Sequence, residues 1–68
     1  MEFKDRLKAV RIEKGYKQKD IAEYVGISLT CYAGYEQGYR EPDFKTLIKL
    51  CNAFGVSADY LLGIKDFS

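Results

Sequence analysis

From Gln18 to Gln37 the chain reads QKDIAEYVGISLTCYAGYEQ, two short amphipathic segments hinged at Gly26, and no other stretch narrows the possible folds as far. Ile21, Ala22 and Val25 fall at i, i+1 and i+4, on one helical face, and Ala22 is small enough to let a second helix approach closely. Only glycine enters the left-handed region without a steric penalty, so Gly26 is the expected residue to end the first helix. Ile27 then turns inward, and Ser28 can accept a backbone N–H as the N-cap of a second helix. That second helix has an inward face set by Tyr32 and Tyr35 with Glu36 beside them, which leaves Leu29, Thr30, Ala33, Gly34 and Gln37 facing out.

The flanking sequence reads as three more helices. Phe3, Leu7 and Val10 recur at i, i+4 and i+7 and predict a helix of about a dozen residues that stops before Gly15. Ile12 lies off that stripe and is expected at the surface, and Tyr16 covers the junction to the next helix. Gly38 to Asp43 is a loop by its Gly, Pro and Asp content, with Pro42 disfavouring a helical Glu41 and Asp43 placed to cap the next helix. Phe44, Leu47, Leu50, Cys51 and Phe54 then predict a helix with all five side chains in the core, closing at Gly55. Val56 packs inward, Ser57 caps, and Ala58 to Leu62 form a last short helix before Gly63. The expectation is an all-α fold of five helices without a sheet, one domain over residues 1–63 and a short tail over 64–68.

Bulk properties set outer limits. A domain of 68 residues buries only about 60% of its unfolded surface, so each core side chain counts and dimerisation would help. No apolar run approaches the ~20 residues needed to span a bilayer and no signal-peptide pattern is present, which makes a cytoplasmic location the expectation and a membrane partner not. The absence of histidine excludes a zinc finger or histidine-based catalysis. Cys31 and Cys51 fall on different helices, and no bridge between them is expected. With no phosphate-cradling glycine loop, no nucleophile elbow and little room for a cavity, neither catalysis nor a cofactor is expected.

Net charge is only +1, but its distribution is uneven. Residues 1–19 hold seven Lys or Arg against three acidic residues, and the remainder holds four against seven. One basic end suits a face presented to phosphates, and it equally suits a solvated amphipathic helix.

The spacing of the Gln18–Gln37 stretch resembles the helix-turn-helix of the Cro and phage-repressor (XRE-like) family, which tends to read Gln-x-x-apolar-Ala-x-x-x-Gly-apolar-Ser and then a helix ending Tyr-Glu-x-Gly. Gln18, Ile21, Ala22, Gly26, Ile27, Ser28, Tyr35, Glu36 and Gly38 occupy those places. The likeness continues on both sides, through Arg11 and Gly15 before the motif and Pro42, Leu47, Leu50, Ala53, Phe54 and the run from Gly55 to Gly63 after it. Lys17 departs from the pattern, because the family prefers a small capping residue there. A lysine forgoes a cap worth ~1 kcal/mol and sets a cation at the positive end of a helix dipole, which makes more sense with a phosphate nearby.

The resemblance implies a compact lambda-repressor-like domain that binds double-stranded DNA and regulates transcription. It implies a bacterial or phage-derived repressor, nucleoid-associated when bound, that holds a palindromic operator as a homodimer with the helix from Leu29 to Gln37 in the major groove. On that reading Leu29, Thr30, Ala33, Gly34 and Gln37 are base-facing or groove-edge positions, and Lys17, Gln18, Lys19, Ser28, Tyr39 and Arg40 approach the backbone. Arg11 and Glu36 match a family pair that bridges the first and third helices. Leu61, Leu62, Ile64 and Phe67 are more apolar surface than a terminal helix easily buries, and they are the expected dimer interface. The helix nevertheless lacks the Arg, Gln and Asn pairs that read guanine or adenine bidentately. A rival reading therefore stands beside it: a protein-interaction module, an antitoxin or accessory subunit that keeps the fold while Leu29 and Ala33 meet a protein partner.

Overall fold

A computed structural model describes residues 2–65, so the expectation for Phe67 lies outside the described residues. The helices are α1 (Phe3–Lys14), α2 (Gln18–Val25), α3 (Leu29–Gln37), α4 (Phe44–Phe54) and α5 (Ala58–Leu62), and no strand occurs among the described residues. Three of the starts are side-chain caps. The Ser28 hydroxyl accepts the Cys31 N–H at 3.0 Å, the Asp43 carboxylate the Thr46 N–H at 2.8 Å, and the Ser57 hydroxyl the Tyr60 N–H at 3.1 Å. At α2 the lysine in the N-cap place has no acceptor to offer. There the Asp20 carboxylate reaches back to accept the Lys17 N–H at 3.0 Å, satisfying one orphan donor from inside the first turn. Gly26 has φ +82°, and its N–H and that of Ile27 both donate to the Ala22 carbonyl, so the chain leaves α2 through a left-handed turn tight enough to start α3 three residues later.

α3 packs against α1 and α2, α2 also against α4, and α5 closes the bundle against α1 and α4. Leu7 and Val10, Ile21 and Val25, Tyr32, Leu50 and Phe54, and Leu61 meet in the centre, one or two side chains from each helix. At the rim, the Arg6 guanidinium lies 5.2 Å from the centroid of the Tyr60 ring, a cation–π contact that ties α1 to α5.

Three expectations are corrected. Leu61, read as interface, is fully buried, because α5 docks on both α1 and α4 and Leu61 is the side chain it turns into their junction. Phe44, read as core, is 85% exposed. As the first residue of α4 it overhangs the bundle, and α4 carries two apolar stripes of which only the one through Leu50, Cys51 and Phe54 can face inward. Gly34, read as outward-facing, is buried beneath the Arg40 side chain.

Candidate nucleic-acid interface

The inward edge of α3 is locked by one carboxylate. Arg11 Nε donates to Glu36 Oε2 at 2.7 Å and Arg11 Nη2 to Glu36 Oε1 at 3.2 Å, a two-pronged ion pair in which the side chains keep 13% and 3% of their exposure. The Tyr32 hydroxyl donates to Oε2 at 2.5 Å and Gln18 Nε2 to Oε1 at 3.0 Å, while Arg11 Nη1 spans to the Tyr16 carbonyl at 2.9 Å. α1, the α1–α2 turn, α2 and α3 therefore share a single polar junction. Burial by itself would push the Glu36 carboxyl up, but the hydrogen bonds from Arg11, Tyr32 and Gln18 and the Arg11 charge outweigh it and hold the group below its ordinary value. Burial, then the bond to Glu36, keeps the Tyr32 hydroxyl protonated far above the usual tyrosine range.

This arrangement makes stability depend on pH. A carboxylate depressed in the folded state stabilises above its unfolded value, and that stability is lost as pH falls through the folded one. The thermal midpoint of the wild type is expected to drop more steeply on acidification below about pH 4.5 than that of Glu36→Gln, which has nothing to protonate at this position. Parallel curves for the two proteins would show that Glu36 does not titrate with unfolding.

On the outward side, Leu29, Thr30 and Gln37 are exposed and Ala33 is half-buried. Lys17 and Lys19 are exposed at the start of α2, Ser28 at the start of α3, and Tyr39 and Arg40 just beyond its end. Gln18 is half-buried with its amide committed to Glu36, so one donor expected at the surface is turned inward. Gly34 is buried because the Arg40 stem folds back across it: a Cβ at Gly34 would lie 3.1 Å from Arg40 Cδ. Glycine inside a helix costs about 1 kcal/mol against alanine, so its presence here accommodates Arg40 at some expense to α3.

Two features escaped the sequence reading. Tyr32 and Glu36 are one turn apart on the same helical face, a spacing that could have announced their hydrogen bond, whereas nothing local points to the Gln18–Glu36 contact across eighteen positions of chain. The second is a shallow apolar groove of about 290 Å³ lined by Phe3, Glu41, Pro42, Phe44, Leu47 and Leu62. α4 contributes Phe44 and Leu47 to it, at i and i+3, two side chains that the sequence pattern assigned wholly to the core.

Two short helices meeting at a glycine turn, the second anchored by one edge and open along the other, define a helix-turn-helix domain. The chain belongs to the helix-turn-helix family, whose profile matches residues 7–61. Over 60 residues it is 52% identical to the SPbeta prophage-derived HTH-type transcriptional regulator YonR of Bacillus subtilis, covering 88% of this chain and 56% of that one. It is 46% identical over 68 residues to the HTH-type transcriptional regulator ImmR of the same species, covering 100% of this chain and 54% of that one. The chain thus spans about half the length of these curated relatives. Among solved structures, the P22 c2 repressor in complex with a synthetic operator superposes with a TM-score of 0.85 at 29% identity, covering 91% of this chain and 94% of that one. The fold is that of the phage-repressor DNA-binding domains. No helix among the described residues is long and apolar enough to cross a membrane.

Proposed function

We propose that this chain is a sequence-specific binder of double-stranded DNA that represses transcription, inserting α3 into the major groove of a palindromic operator as a homodimer. The observation that carries the reading is the two-sidedness of α3: its inner edge is fixed to α1 and α2 through Glu36, and its outer edge, Leu29, Thr30 and Gln37, is exposed, as are the cations Lys17 and Lys19 at the start of α2 and Arg40 beyond the end of α3. A rigid helix about 10–12 Å across matches a major groove about 12 Å wide whose rims are phosphate. Methyl groups and one hydroxyl suit thymine methyls and groove shape more than bidentate guanine contacts.

For the second copy, the groove around Phe44 together with Ile48 (59% exposed), Leu62 (43%) and Ile64 (69%) offers apolar surface that a two-fold contact would cover. Repression would be steric, an occupied promoter excluding polymerase.

Selection of bound sequences from a random duplex pool, followed by titration at several salt concentrations, tests the reading. Leu29→Ala or Ala33→Ser is expected to change preference at one or two base pairs by about 1–3 kcal/mol with the salt slope intact. Lys17→Ala or Arg40→Ala is expected to weaken all sequences alike and to flatten the slope by about one unit. The rival reading, a protein-interaction module, draws on the 48% exposure of Leu29 and the low net charge. It requires that duplex DNA be retained weakly or not at all and without steep salt dependence.

A further inference from the structure

We propose that Gly34 is a seat for Arg40, holding its guanidinium at the rim of α3 before DNA arrives, and so is a positioning residue rather than a base contact. The inference rests on the DNA-binding reading and assigns Gly34 a different part in it. Three observations converge. Arg40 Cδ, Cγ and Cβ lie 3.1, 3.3 and 3.6 Å from where a Gly34 Cβ would stand, the first two closer than carbon atoms ordinarily pack. The backbone folds the same way, since the N–H groups of Tyr39 and Arg40 both donate to the Gly34 carbonyl, at 3.0 and 3.3 Å. Finally, Gly34 is not among the glycines with positive φ, so α3 does not need glycine for its own geometry.

The group that needs the missing side chain is the Arg40 stem. Arg40 remains exposed overall, so it buries methylenes on α3 while its charge reaches water. A long cation held in this way has fewer rotamers to lose on meeting a phosphate, which is how preorganisation raises affinity.

The test compares Gly34→Ala, Arg40→Ala and the double variant with the wild type, using random-sequence duplex DNA and the selected operator. Gly34→Ala should melt at or a few degrees above the wild type, because alanine favours the helix and Arg40 can swing aside. In the free protein, nuclear Overhauser contacts between the Arg40 methylenes and the Gly34 α-protons should be present in the wild type, and the Arg40 side chain should become more mobile in the variant. DNA affinity should fall about 3- to 10-fold on both duplexes, the salt slope should move toward that of Arg40→Ala, and base preference should not change. The double variant should bind no worse than Arg40→Ala alone, because both changes remove the same contact. Gly34→Ala binding like the wild type, losses that add in the double variant, or a changed base preference would each overturn the inference. A wild type that binds no DNA would overturn the DNA-binding reading itself and with it this role for Gly34, even with the Arg40–Gly34 contact intact in the free protein.

Discussion

Replacing Arg11 with methionine is expected to destabilise the domain by about 3 kcal/mol, and in a chain this short that lowers the thermal midpoint by roughly 12–24 °C. The reason lies in the group left behind. The Glu36 side chain keeps 3% of its exposure, and without Arg11 it retains only the Tyr32 and Gln18 donors and no opposing charge. A carboxylate in that position must either remain charged out of water or take up a proton, and both cost free energy that the folded state cannot recover elsewhere. The companion experiment separates the missing bond from the stranded charge. Arg11→Met combined with Glu36→Leu should be more stable than Arg11→Met alone, because replacing both members of a buried pair by apolar groups is often neutral. Urea and thermal unfolding of the three proteins decide it. An Arg11→Met variant as stable as the wild type would mean the pair is surface decoration.

The second large effect is expected at Phe44, where aspartate should reduce affinity for an operator carrying two half-sites by about 10²- to 10⁴-fold while leaving affinity for a single half-site unchanged. Phe44 is 85% exposed, so its removal takes nothing from the core and stability should stay within about 0.5 kcal/mol. Aspartate is also acceptable at the positive end of the α4 dipole. Two such carboxylates facing each other across a two-fold axis would instead repel and desolvate, losing the avidity that a second reading helix supplies. Sedimentation of the free protein and gel shifts on one- and two-half-site duplexes measure both quantities. Unchanged operator affinity would show that this groove does not lie between copies.

How legible these features were in the sequence differs residue by residue. The five helices, their order and their ends could be read directly, because capping and helix termination are local chemistry: Ser28, Asp43 and Ser57 each find an N–H three residues on, and Gly26 supplies a backbone state other residues avoid. That these two helices form a helix-turn-helix came from the resemblance of Gln18 through Gly38, and of the residues flanking them, to the Cro and phage-repressor pattern; Gly26 by itself fixes only where the first of the two ends. The pattern also separated the inward Tyr32 and Tyr35 from the outward Leu29, Thr30 and Gln37.

Only the tertiary structure decided which of several apolar or small residues the bundle had room for. Phe44 and Leu61 are both large, apolar and at helical spacing, yet one overhangs the end of α4 and the other fills the junction of α1, α4 and α5. Gly34 lies at a position that the helix alone would turn toward solvent, and it is buried because a residue six positions later folds back over it. Gln18 looks like any first-turn glutamine until Glu36 arrives from another helix to take its amide. Periodicity reports the direction in which a side chain leaves its own helix. The occupant of the space it enters depends on the neighbouring elements, and no local pattern contains them.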